Sequence, residues 1–597
     1  MRKILEKHPA AFYIIWFLLL AVLFTWPLVL NCRYSIAGQI GDNVYFIWMI
    51  GWIKKALFDL KTNPLNVWFL NYPEGWNMAR TEMTPIQLLL ALPFDLIGGE
   101  TFGYNAAMLL SFALSGLIMG IWVRHLTGSS FAGLISGTIF ACLPYRQAHY
   151  LAGHLNLSGT QWLPLFFMGW FDLFKPGESE FRKKSAVLAG IGFGLTALTS
   201  QYYVFMLAVI AGIQALFMLI FYRREWFADK NFWKGIGVFL LAAAPLTVLA
   251  EYPFFKLAGS GGMPSRDWGA ARMYSAGLSD FFLPGTTHFL FGKWIGSHFN
   301  RDYWIEATLY IGLISLLLML YALKKSGKRD GWIRPLLLCG IISSVILAMG
   351  TDLHWNGSPV EFTLPHFLAE KLGRTHIPIL LPGYFMFKYF PFYNKQRALM
   401  RMGIFALMLM ACGAGLGAQF LTEKTKGLRK EIVSWILLTL VLFDFWPASQ
   451  KQFVKIGPRA VDKFLASQTD NGSVMRYPFY LNDDQAGTYY TLYNNKPFIG
   501  GFFNAFPPEQ YLNISGVMSA FPSQESTALA KKLGVEYFLV EKDETEKAIA
   551  DGSIPWKSME EIQAACEKYG LYKYGTYDGV VVYMFGEGCD CKWLKKR

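Results

Sequence analysis

Apolar runs of about twenty residues recur along this chain, at 11–30, 104–123, 202–222, 305–323, 402–420 and 431–447. A helix of that length crosses a hydrocarbon core of about 30 Å. Helix is the form open to such segments, because lipid offers no partner for a backbone N–H or C=O left outside the segment. Composition points the same way. Hydrophobic residues make up 53% of the 597 and charged residues only 16%, where a soluble chain carries about 25% charge. The fold class predicted is a polytopic α-helical membrane protein.

The net charge of +13 is not a nucleic-acid footprint, because the basic residues sit in short loops between apolar runs. Lys175, Arg182, Lys183 and Lys184 form one such loop; Arg223, Arg224, Lys230 and Lys234 a second; Lys324, Lys325, Lys328, Arg329 and Arg334 a third; Lys424, Lys426, Arg429 and Lys430 a fourth. Read as cytoplasmic loops, all four fall on one side if 85–98, with Pro85, Pro93 and Asp95, does not fully cross. The predicted spans are 11–30, 104–123, 130–143, 157–174, 186–199, 202–222, 235–250, 305–323, 335–350, 402–420 and 431–448, about eleven in all. The N-terminus is then cytoplasmic, with 11–30 read as a retained span. Residues 1–449 form the transmembrane domain, with long outer loops at 31–103, 251–304 and 351–401. Residues 450–597, where strand-like runs (Val474–Tyr477, Val535–Val540, Val580–Phe585) alternate with helix-like ones (Glu525–Leu533, Met559–Tyr569), read as an α/β domain on the outer face.

Asp42 follows the first span closely and precedes an aromatic, apolar segment. It is either a helix N-cap or a general base at the membrane surface. The segment 43–60 predicts an interfacial helix, with Phe46, Ile50, Ile53, Leu57 and Leu60 on its apolar face. Tyr145, Arg146, His149, His154, Asn156 and Gln161 crowd the outer end of two spans; they could grip a phosphate and sugar hydroxyls or form an interfacial belt. Two histidines five apart need a third ligand before they hold a metal, so no metal set is assigned and a divalent cation is left open. Arg397 and Arg401, four apart, predict a guanidinium pair facing a phosphate or pyrophosphate, or snorkelling at a span end. Asp280 and Glu306 are further outer carboxylates, each a substrate ligand or a local cap, and Glu82 is in the same class. Cys589 and Cys591 make a lone CxC pair, weak evidence for a metal. No GxxxxGK[ST] or strand-linked GxGxxG is present, which argues against a cytosolic nucleotide-sugar donor.

These features together, Gly41-Asp42-Asn43, Asn71-Tyr72-Pro73-Glu74-Gly75, Pro144-Tyr145-Arg146 with His149, Gly153-His154-Leu155-Asn156, Gln161-Trp162, Tyr310-Ile311-Gly312 and the stretch to Arg397 and Arg401, resemble bacterial GT-C-type integral-membrane glycosyltransferases, distant relatives of the protein mannosyltransferases and aminoarabinose transferases. The resemblance implies a GT-C fold in the bacterial cytoplasmic membrane and a catalytic aspartate in the first outer loop, where Asp42 stands. It also implies a polyprenyl-phosphate sugar donor, with Arg397 and Arg401, assisted by Arg146 and His149, near the lipid phosphate. Tyr145, His154, Asn156, Gln161, Asp280 and Glu306 are then the expected substrate-binding residues. The expected activity is sugar transfer to a hydroxyl of an envelope glycan, lipid or protein. The alternatives are a transporter of lipid-linked sugar or polysaccharide, and a non-catalytic envelope-assembly protein.

Overall fold

The computed structural model describes residues 2–175, 182–259, 265–300, 302–325, 331–448, 452–479, 484–503 and 507–586. Cys589 and Cys591 lie outside them. Four described helices are long and apolar enough to cross a membrane: Glu100–Thr127, Gln201–Tyr222, Lys230–Gly259 and Leu399–Glu423. Pro9–Phe24, Pro85–Gly98 and Ile333–Ala348 are shorter apolar helices. Further helices, Ser130–Cys142, Trp162–Leu173, Lys183–Ala197, Leu313–Lys325 and Gly427–Phe445, fall within or beside the other expected spans. The chain is thus a polytopic helical protein, although the length criterion is met by fewer helices than the eleven expected.

Small residues let the helices approach closely, the usual device where lipid removes any hydrophobic drive between them. A Cβ added to Gly133 would stand 2.4 Å from the Gly120 carbonyl oxygen, so Glu100–Thr127 and Ser130–Cys142 touch through their backbones. The apolar core of this bundle runs from Tyr13 and Phe17 through Trp122, Phe167 and Met206 to Leu409 and Phe445.

A second core joins the helix Asp42–Lys54, parts of the bundle helices Pro85–Gly98 and Glu100–Thr127, and the C-terminal segment. It contains a four-stranded sheet in the order Leu571–Tyr577, Val580–Phe585, Val535–Glu541, Ser473–Tyr477. The last two strands are parallel and the other pairings antiparallel. The three strands expected from sequence are present; Leu571–Tyr577, with Lys573 and Gly575 breaking its pattern, was not anticipated.

The expected interfacial helix is a different object. Asp42–Lys54 is a helix whose residues Asn43 to Trp52 are all buried, and it continues as a wide turn over Lys55–Asp59. A helix apolar on every side is covered on every side. Its covers are Glu100–Thr127 and the C-terminal helix Gln485–Asn494. Trp48 Nε1 donates to Thr491 Oγ1 at 3.2 Å, and a Cβ on Gly51 would meet Leu492 Cδ1 at 2.7 Å. The segment 31–103 and the C-terminal segment also share a two-stranded ladder, Ser35–Ala37 against Phe453–Lys455. They form one hydrophobic core.

Candidate active site

Where this shared core meets the bundle there is a cavity of about 270 Å³. Asp42, Glu82, His154, Asn156, Glu306, Arg397 and Arg401 line it, with Tyr202, Arg266, Tyr274, Asp302, Tyr303 and Phe502.

Asp42 is the first residue of its helix, and Gly41 stands at the cap position. The turn is held by its neighbour: Asn43 Oδ1 accepts from the N–H of Gly41 at 3.0 Å and of Val44 at 2.8 Å. The capping work of a short polar side chain is therefore done by Asn43. The Asp42 carboxylate faces the cavity, 3.2 Å from His154 Nε2, with its side chain 30% exposed.

His154 is brought there by Gly153, which has φ +80° and sits against Asn43 so closely that a Cβ would lie 2.4 Å from the Asn43 nitrogen. Only glycine tolerates both conditions at little cost. His154 Nδ1 lies 2.7 Å from His149 Nδ1. His149 is fully buried, edge-on to the Tyr145 ring. Burial holds its pKa well below the usual imidazole value, although Glu306 opposes the shift. Its Nε2 has no hydrogen-bond partner among the described residues and stands 3.9 Å from Glu306 Oε2.

Glu306 lies in a turn before the helix Leu313–Lys325, and Arg401 in a tight 3-10 turn before Gly403–Glu423. They form a bidentate ion pair, with Arg401 Nε 3.0 Å and 3.1 Å from the two carboxylate oxygens. The guanidinium also covers the Tyr202 ring at 4.5 Å. Arg397 is in a bend, stacked 4.9 Å over Tyr274. The two arginines thus reach one cavity from irregular backbone, although a spacing of four would put them on one face of a helix. Among the described residues Arg397 has no carboxylate partner, so its charge is available to a ligand.

Glu82 sits under the cavity, accepting from Asn156 Nδ2 at 2.6 Å and from the Ser200 hydroxyl. Burial raises its pKa, against the bonds from Ser200 and Asn156 and the charge of Arg401. His149, His154 and Glu306 each offer one ligand atom, all within 4.8 Å of one another. Glu306 thus offers a third ligand-type atom beside the two histidines, a set of the kind that suits a divalent transition ion, while its carboxylate is held by Arg401 in the ion pair.

Four residues expected at the site are engaged elsewhere. Tyr145 is buried with its hydroxyl 3.0 Å from that of Tyr203. Gln161 donates to Gln87 Oε1 at 2.9 Å, inside the bundle. Asp280 accepts from the Gly277 N–H at 2.8 Å, a local cap. Arg146 lines a separate small cavity. The tyrosines of the site, Tyr202, Tyr274 and Tyr303, were missed because tyrosine at span ends is commonplace. Phe502 was missed because nothing in its local sequence reveals that the C-terminal segment folds back onto Tyr45, 4.6 Å from its ring.

The family model described as "Domain of unknown function (DUF6311)" matches residues 12–375. No curated protein matches the sequence. Among solved structures, the Archaeoglobus fulgidus oligosaccharyltransferase tethered with an acceptor peptide is similar at TM-score 0.53 and 14% identity, over 96% of this chain and 74% of that one. Arabinofuranosyltransferase AftD from Mycobacteria is similar at TM-score 0.56 and 14% identity, over 97% of this chain and 40% of that one. ArnT from Cupriavidus metallidurans, bound to undecaprenyl phosphate, aligns at TM-score 0.39 and 13% identity over 96% and 97%. All three are GT-C glycosyltransferases, and the likeness to the first two, at such identities, is one of fold. The chain belongs to the DUF6311 family and has the fold of the GT-C membrane glycosyltransferases.

Proposed function

We propose that the protein is a membrane glycosyltransferase that moves a sugar from a polyprenyl-phosphate donor to an acceptor hydroxyl at the outer face of the bacterial cytoplasmic membrane. The observation that carries this reading is one cavity holding both an aspartate released from capping duty and a guanidinium that, among the described residues, has no carboxylate partner. In the proposed reaction Asp42 accepts the proton of the attacking hydroxyl, whose oxygen bonds to the anomeric carbon of the donor. The bond from that carbon to the phosphate oxygen breaks, and polyprenyl phosphate leaves. The charge gained by the phosphate is met by Arg397, with Arg401 behind it, an electrostatic contribution of the kind that is usually largest. His154 orients the Asp42 carboxylate. Asn156 and Glu82 offer hydrogen bonds to sugar hydroxyls. Phe502 brings the C-terminal segment to the cavity wall, where it can bear on the choice of acceptor.

The test is mass spectrometry of envelope glycans and lipid-linked sugars in the native strain and an Asp42→Asn strain at equal protein level. Loss of one sugar from a glycan, with build-up of its lipid-linked donor, is expected. Removing a general base slows transfer by about 10²–10⁴-fold. Unchanged glycans in the variant would exclude Asp42 as the base and favour transport or scaffolding.

A further inference from the structure

The second small cavity lies between the end of Pro9–Phe24, the helix Glu100–Thr127 and the short helices Pro144–Leu151 and Leu155–Ser158. Phe24, Thr25, Met108, Phe112 and Gln147 line it together with Arg146, Tyr150 and Ser158. Its free volume is about 20 Å³. That is room for one or two water-sized particles.

Arg146 is 3% exposed. Its NH1 group donates to the Ser158 carbonyl at 3.1 Å and to the Thr160 hydroxyl, and its carbon lies 5.6 Å from the Phe112 ring centre. No carboxylate pairs with it among the described residues. Burial draws its pKa down to about 10, against the influence of Tyr203, Cys142 and Tyr145, so it is a cation at neutral pH. A buried charge without a counter-charge is strongly disfavoured.

Among the described residues, three buried polar atoms on residues that line this one cavity have no hydrogen-bond partner: Arg146 Nε, the Tyr150 hydroxyl and the Ser158 hydroxyl. All three can donate, and Arg146 can do nothing else. A water molecule could take up the hydrogen bonds but would leave the cation uncompensated. A phosphate, with four oxygens around its centre, exceeds the space. We propose that the Arg146 cavity is a binding site for a single halide-sized anion, chloride in the cell, held by Arg146, Tyr150 and Ser158. The anion neutralises the guanidinium and ties Pro144–Leu151, which carries His149, to the ends of the surrounding helices.

The test does not use transfer activity, so its outcome is independent of the function proposed above. Thermal unfolding of the purified full-length protein in detergent is followed in sodium chloride, sodium bromide and sodium gluconate at equal ionic strength. A saturable rise of the midpoint with either halide, absent with gluconate, is expected. Losing a donor to a charged group weakens binding roughly tenfold or more. Tyr150→Phe and Ser158→Ala should each shift the half-saturating halide concentration upward by that factor, and Arg146→Gln should abolish the response. Where Arg146→Gln fails to fold, the two milder variants carry the result. Bromide-derivative diffraction adds a direct readout, an anomalous peak beside Arg146. Equal midpoints in halide and gluconate would mean water alone fills the cavity and would overturn the proposal. A halide response unchanged in the Tyr150→Phe/Ser158→Ala double variant would overturn it equally.

Discussion

Glu306→Gln is the most informative perturbation of stability. The side chains of Glu306 and Arg401 are 7% and 9% exposed, so neither charge falls back on water when its partner is removed. Neutralising Glu306 leaves the guanidinium with its stacking on Tyr202 and the electrostatic influence of Glu82, with no direct ion-pair partner among the described residues, and it takes away the charge facing His149 Nε2. Breaking a buried pair from one side costs about 3–5 kcal/mol. Removing both charges is much cheaper, because the desolvation they suffered is removed with them. The order expected is therefore native, then Glu306→Gln/Arg401→Met, then Glu306→Gln alone, with a gap of about 2 kcal/mol or more between the variants. Denaturant unfolding of the detergent-solubilised protein, followed by tryptophan fluorescence, reads this order. A single variant within about 0.5 kcal/mol of native would refute the reasoning, as would a double variant no more stable than the single.

Gly153→Ala should separate Asp42 from His154. The alanine is strained at φ +80° and would overlap Asn43, together about 2–4 kcal/mol; transfer should fall even in protein that remains folded, and full activity would show that the contact is dispensable. Asp352 predicts an acid-dependent stability. Burial pushes its carboxyl up, but hydrogen bonds from His354, Thr351 and Arg272 outweigh that and hold it below the usual value. A depressed carboxyl contributes stability above its unfolded pKa of about 3.9, lost as pH falls through the folded value at up to about 1.4 kcal/mol per unit. Subtracting an Asp352→Asn titration from the native one should isolate that slope, and identical slopes would discard it.

Much of the bundle could be read in advance, because a run of apolar residues has few structural options in lipid. Asp42, His154, Asn156, Glu306, Arg397 and Arg401 were singled out from sequence and do line one cavity. Polar residues at span ends are ambiguous in a way local sequence does not resolve. Tyr145, Arg146 and Gln161 have the same composition and setting as His154 and Asn156, yet they face into the bundle. Tyr145 and Arg146 stand on a short helix, Pro144–Leu151, whose residues Pro144 to His149 are all buried, and Gln161 precedes Trp162–Leu173, where Gln87 takes up its amide. The helix after Asp42 was misjudged for a related reason. Its apolar stripe fits a membrane surface as well as a protein one, and what covers it arrives at the far end of the chain.

That late arrival has a consequence for synthesis. Trp48 and Thr491, which meet in the shared core, are 443 residues apart. At about 5–20 residues per second, the ribosome needs roughly 20–90 s to make the intervening chain. Throughout that interval the segment 31–103 has been made while Tyr45 and Trp48 lack Phe502 and Thr491, the partners they meet in the folded chain. A chain that stops short of Gln485–Asn494 has every helix of the bundle and still presents this aromatic face bare. Truncated products should therefore be recognised by quality-control proteases at the first loop, hundreds of residues from the break.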